Sequence, residues 1–339
     1  MRNSLATRFT QTDGQSSGPP DTQMMNSTDH HPVIPTGAER YKKQKNMQNR
    51  LFQNYAHYLP GFGGMMMLFL MFLLGAVLGN IVVLILSAFL PAEAANEWGT
   101  VISYPLMFVP PMLYARGKSR RNSIFSSGLA VDSGNFGRLG GFRMALVVSF
   151  ATIATAFAAE PLSAMLPEPP EWFEQIMNQM VGGNVILSFI CVSIFAPLFE
   201  EWLCRGVVLR GLLTRMRPGS AIAVSAVFFA VLHMNPWQAL PAFLLGLLFG
   251  YVYYRTGSLK LTMLMHCVNN TMALIFSKIP SFAEADTLAD VMSPWAYACL
   301  IAVCVLYLAA AIVTLRAIPM RSEEACCNCD EVSSLSTEE

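Results

Sequence analysis

The chain has 339 residues, is 54% hydrophobic and only 13% charged, and its 22 basic and 22 acidic side chains cancel. Soluble domains carry about 25% charged residues, so this composition excludes an ordinary soluble enzyme, and zero net charge removes any bulk attraction to nucleic acid. Several apolar runs reach the ~20 residues a helix needs to span a bilayer. The fold class expected is all-α, a polytopic transmembrane helix bundle embedded in lipid.

In chain order, residues 1–60 are polar and rich in Gly, Pro, Ser and Thr, the composition of a disordered tail. They lack the apolar core of a signal peptide. Eight spans are expected, at about 62–90, 97–115, 142–165, 184–213, 219–235, 237–255, 258–277 and 293–316. The chain divides into a tail (1–60), three N-terminal helices with their loops (61–183), a core (184–278), a loop with the last helix (279–316) and a second polar tail (317–339).

Positive charge sets orientation. Arg40 to Arg50, Arg116 to Arg121, Arg210 to Arg217, Arg255 with Lys260, and Arg316 with Arg321 form five basic clusters. All five fall on one side of an eight-helix chain whose termini are both cytoplasmic, and the intervening loops "PEPPEWFEQ" and "SFAEADTLAD" are acidic. The expected location is therefore a multi-pass protein of the plasma (inner) membrane. The sequon at Asn26 then lies on the cytoplasmic side and stays unmodified.

Cys191, Cys204, Cys267, Cys299 and Cys304 lie in apolar segments and read as small core residues. Cys326, Cys327 and Cys329 cluster in the C-terminal tail without the second Cys/His half that zinc spacing requires.

The fourth span carries the chemistry. "VILSFICVSIFAPLFEEWLCRGVVLRGLL" is apolar from Val185 to Phe199, then presents Glu200, Glu201 and Arg205. Pro218-Gly219 makes a turn, and the next span climbs back to His233. Glu200 lies 17 residues before Arg217 and His233 lies 14 after Gly219, climbs of roughly 25 Å and 21 Å if both are helical. The two would share a depth well inside the hairpin. His266 and Asn270 lie one turn apart on the seventh span, only roughly 12 Å above its start by the same count.

Ionisable groups at such depth face the protein interior or water. Glu201 and Arg205 have the i, i+4 order of a helix ion pair, which leaves Glu200 without a local partner. A lone intramembrane histidine usually bonds between helices, but two that can approach one carboxylate suggest a site. A carboxylate can act as general base for water. Histidine can orient that water, stabilise an oxyanion or bind a metal, and an asparagine amide can donate to an oxyanion. No HExxH and no nucleophile elbow is present. Attack of activated water on an amide or ester is the economical reading.

These residues resemble the CAAX prenyl protease and bacteriocin-processing (CPBP, or Abi) family of intramembrane proteases. "EEWLCR" (Glu200 to Arg205) fits its EExxxR motif, "FAVLH" (Phe229 to His233) fits FxxxH, and "HCVNN" (His266 to Asn270) fits HxxxN, across about residues 184–278. Cys204 departs from the Phe often found there. The resemblance implies that Glu200 activates water beside His233, and that His266 and Asn270 form an oxyanion site or complete a polar or metal-binding cluster. Glu201 and Arg205 would support the site, with Phe229 packing near it. Glu200, His233 and His266 are the expected ligand set if Zn²⁺ is used, yet the residues fit a metal-free glutamate mechanism as well, and the reading leans that way. The expected partner is a membrane-associated peptide or protein. Two alternatives stay open. One is a non-catalytic family member acting in bacteriocin immunity or as a scaffold. The other is a proton-coupled transporter, against which stands the absence of a repeated span pattern.

Overall fold

The computed structural model describes residues 52–126, 128–283 and 287–319. The N-terminal tail with Asn26 and the cluster Cys326, Cys327 and Cys329 lie outside them. The longer helices are α1 (Phe62–Ser87), α2 (Ala92–Asn122), α3 (Gly140–Ser163), α4 (Glu171–Gly182), α5 (Val185–Leu213), α6 (Pro218–Leu232), α7 (Pro236–Thr256), α8 (Leu259–Phe276) and α9 (Pro294–Arg316). Among the described residues there is no strand.

Eight of these helices occupy the eight expected positions. Five of them, α1, α3, α5, α7 and α9, are long and apolar enough to cross a membrane on length and composition alone. The other three depart for separate reasons. α2 holds three prolines and a basic last turn, α8 carries His266, Asn269 and Asn270, and α6 has 15 residues. At 1.5 Å each, α6 is about 22 Å long, short of the ~30 Å hydrocarbon core. Leu, Ile and Val side chains on α1 and α9 remain exposed, among them Leu84, Ile85, Leu306 and Val313, the surface a bilayer would cover.

α1 and α2 pack tightly because Gly75 and Gly79 lie four residues apart on α1. A Cβ at Gly75 would fall on the Met107 carbonyl of α2, and one at Gly79 would meet Ser103 Cβ at 3.0 Å. Small residues at this spacing let membrane helices approach backbone to backbone. The contact fixes the height of Ser103 to Met107. The bundle has two apolar cores. One surrounds α5 and includes Phe108, Trp202, Leu203, Val207 and Phe229. The other joins α3, α7 and α9 through Met144, Val148, Phe249, Val252 and Leu315. Cys191, Cys204 and Cys304 are buried as expected; Cys299 is exposed on α9.

α5 begins at an asparagine cap, Asn184, whose side chain accepts from the N–H groups of Ile186 (3.0 Å) and Leu187 (3.4 Å). It is not a uniform α-helix. Phe189–Phe195 and Trp202–Leu209 are π-helical and bracket the α-helical turn Ala196–Glu201. The helix ends at Leu213, four residues short of the expected Arg217. Below the site, the buried Arg210 guanidinium donates to four carbonyls: Leu129 (2.5 Å), Tyr55 (2.6 Å), Tyr58 (3.1 Å) and Ala56 (3.2 Å). One side chain thus ties the segment before α1 and the α2–α3 connection to the foot of α5.

Candidate active site

The two adjacent glutamates have different surroundings. Glu201 is fully buried, and its Oε1 accepts from Arg205 Nη1 at 2.7 Å. The same oxygen accepts from His266 Nδ1 at 3.1 Å. Arg205, also fully buried, donates from Nη2 to the Gly246 carbonyl (3.1 Å) and lies over the Phe229 and Phe249 rings, 4.5 Å and 5.3 Å from their centroids. Two charges removed from water need such dense pairing to be tolerated, and a guanidinium gains further from desolvated aromatic faces.

Glu200 instead lines a cavity of about 830 Å³. It is 8% exposed. Its Oε1 accepts from the Tyr104 hydroxyl of α2, while Oε2 is buried without a hydrogen-bond partner. Sequence reasoning leaves Glu200 without any partner. It misses Tyr104, whose only signal is a phenol midway along an apolar run beside Pro105. His233, His266, Asn270, Phe229 and Tyr104 line the same cavity; Glu201 and Arg205 do not.

His233 Nδ1 sits 3.0 Å from the Phe229 carbonyl, and His266 Nδ1 faces the Glu201 carboxylate. Both partners are acceptors, so both imidazoles place a proton on Nδ1 and leave Nε2 as the ring nitrogen available to the cavity. The rings are held by Phe229, edge-on to each, at 5.2 Å and 5.5 Å. The depth expected for His266 is corrected here. It meets Glu201 directly, because α5 stops at Leu213 and its π turns, with more residues per turn, gain less height per residue.

His233 ends α6 at membrane depth, and Met234 comes next in the left-handed region at φ 53°. Non-helical backbone at this depth is tolerated where it borders a cavity. Asn235 restarts the helix: its Oδ1 accepts from Gln238 N (2.8 Å), and its Nδ2 donates to the His233 carbonyl (2.8 Å) and to Gln238 Oε1 (2.7 Å).

Asn270, expected as an oxyanion donor, is partly committed elsewhere. Its Nδ2 donates to the Val192 carbonyl at 2.8 Å. That carbonyl lacks a helical donor for a sequence reason. The Ala196 N–H bonds to Cys191 in the π register, and Pro197, next in that register, has no N–H. One N–H of the Asn270 amide remains.

The cover of the cavity was not expected as a helix. α4 forms in the acidic loop and turns Trp172, Phe173, Ile176 and Met177 onto the cavity. Trp172 and Phe173 pack with Trp237 at 6.1 Å and 5.2 Å, and the Trp237 indole donates to the Pro167 carbonyl at 2.7 Å.

The ligand set expected for Zn²⁺ does not assemble. Glu200, His233 and His266 share the cavity, yet among the described residues no three His, Cys, Asp or Glu side chains converge on a common ion position. Glu200 Oε1 is turned to Tyr104 and His266 Nδ1 to Glu201.

This is a helical membrane protein with a carboxylate-and-histidine cavity built at depth. Residues 182–272, which carry Glu200, His233, His266 and Asn270, match the family described as type II CAAX prenyl endopeptidase Rce1-like. The chain is 32% identical over 109 residues to "UPF0177 protein YaiF" of Lactococcus lactis, covering 30% of this chain and 49% of that protein. It is 29% identical over 104 residues to "Membrane-embedded CAAX protease MroQ" of Staphylococcus aureus, covering 29% of this chain and 42% of that protein. On these matches the chain is a CPBP/CAAX-family protein, although it spans less than half the length of either relative. No solved structure matches it.

Proposed function

We propose that this chain is an intramembrane endopeptidase in which Glu200 is the general base. The observation that carries the reading is Glu200 Oε2: a buried carboxylate oxygen without a partner, on the wall of a cavity that two histidines also line. A buried acceptor left open is costly unless something fills it, and water is the simplest occupant of a polar site this size. The family match, and a relative named as a CAAX protease, support peptide hydrolysis.

In the reaction, Oε2 takes a proton from water while the water oxygen bonds to the scissile carbonyl carbon. The carbonyl oxygen becomes an oxyanion. His233 Nε2 accepts the water's second hydrogen and so orients it. A protonated His266 donates from both nitrogens, Nδ1 to Glu201 and Nε2 to the oxyanion, and the remaining Asn270 N–H adds a second donor. Collapse breaks the C–N bond. The proton held by Glu200 passes to the departing nitrogen, leaving a carboxylate and an amine. The substrate is a membrane-associated peptide or protein.

The testing experiment compares peptides in membranes of cells making wild-type or Glu200→Gln protein at equal levels. Products found with wild type and missing with the variant are expected; identical peptide sets overturn the reading. The basic clusters place both termini in the cytoplasm. A cysteine introduced at Glu171 should then react with a membrane-impermeant thiol reagent from outside, and one introduced at Lys118 should not.

A further inference from the structure

Tyr104 lies on α2, 78 residues before the matched segment begins. Its hydroxyl donates to Oε1 of Glu200 across 96 residues of sequence. It belongs to none of the three motifs. The contact singles out one carboxylate oxygen: Oε1 is occupied and Oε2 is open. Tyr104 is itself held in place. Its ring packs 5.9 Å from Phe108, which stacks on Phe199 at 5.4 Å, next to Glu200 in sequence. Its height on α2 is set by the glycine contacts at Ser103 and Met107 on either side.

We propose that Tyr104 is a positioning residue for Glu200, holding Oε1 so that Oε2 is the oxygen presented to water. The proposal rests on the reading of Glu200 as general base. A glutamate has three side-chain torsions, and a single buried phenol donor suffices to select among its rotamers. Without that hydroxyl, both oxygens lack partners and the carboxylate can turn towards its own helix or swing across the cavity. A proton-accepting oxygen displaced by about 1 Å costs rate far more than binding.

The test uses Tyr104→Phe, which removes one oxygen and keeps the ring, on the full chain in liposomes. One arm needs no substrate. Dicyclohexylcarbodiimide, an apolar reagent for buried carboxyls, is added and modification of Glu200 is tracked by mass spectrometry. A severalfold change in the Glu200 labelling rate is expected, with labelling at Glu160 unchanged. The second arm measures hydrolysis of a peptide spanning a cleavage site mapped by comparing membranes with wild-type and Glu200→Gln protein. There kcat should fall at least about tenfold, the loss of one hydrogen bond to a charged group, with KM held. A bond that serves packing alone would lower thermal stability and leave kcat untouched. Wild-type labelling and wild-type kcat in Tyr104→Phe, with Glu200→Gln inactive, overturn the positioning role and leave the base in place. Full activity of Glu200→Gln overturns the base and this proposal with it.

Discussion

Oε1 of Glu201 takes two donors from different helices, Arg205 Nη1 at 2.7 Å and His266 Nδ1 at 3.1 Å. One oxygen therefore neutralises the buried guanidinium and fixes the ring of a cavity histidine. Glu201→Ala leaves Arg205 buried and unpaired. Removing one member of a buried pair costs about 3–5 kcal/mol. Thermal unfolding in detergent should show a large loss for Glu201→Ala and little for Glu200→Gln. Equal losses would mean that the two glutamates do not divide their tasks in this way.

Arg210 should be irreplaceable by lysine. Its planar fork reaches four carbonyls on two connections, whereas an ammonium is a compact donor on a flexible stem. Arg210→Lys is expected to cost about 2 kcal/mol. Hydrogen exchange at Tyr58 and Leu129 should rise while exchange within α9 stays the same. Unchanged exchange at both positions would refute the clamp.

Gly75→Val should damage stability and activity together. The added side chain meets the Met107 backbone, and overpacking of this kind costs about 1–3 kcal/mol. Because α2 carries Tyr104 one turn away, the separation forced on α1 and α2 also moves the donor to Glu200. Gly63→Val is the control, since nothing lies within 4 Å of a Cβ there. A Gly75→Val protein with wild-type kcat would show that the seating of α2 does not reach the site.

Asn270→Ala should lower both stability and kcat, unlike Glu200→Gln. It orphans the Val192 carbonyl, a penalty of about 1–3 kcal/mol, and removes the second oxyanion donor. A variant with full stability would show that the carbonyl finds another partner.

Much of the fold and part of the site are legible in sequence, because charge and spacing are local. The eight apolar runs become helices within a few residues. The i, i+4 order of Glu201 and Arg205 becomes the buried ion pair. Counting residues from Pro218 brings Glu200 and His233 to one cavity. The features that are not legible depend on neighbours distant in the chain or on helix register. Tyr104 reaches Glu200 from another helix. α4 becomes a helix because Trp172, Phe173, Ile176 and Met177 share a face that finds the cavity, inside a loop whose acids are its plainest signal. The Asn270 amide is drawn to Val192 by a carbonyl that lacks a donor in the π register before Pro197. The approach of α1 to α2 has a sequence signature, glycines at 75 and 79, that charge-based reading passes over.

The π turns on either side of Glu200 and Glu201 make the aim of these side chains a matter of chain length. A π stretch accommodates an extra residue where an α-helix would not. Deleting one residue within Phe189–Phe195 would let that stretch relax to α-helix and rotate the remainder of α5 by roughly 100° about the axis. Glu200 would leave the cavity wall although every motif letter remained. Along lines of descent from such a sequence, a single lost codon there could silence the chemistry while the signature still reads as intact.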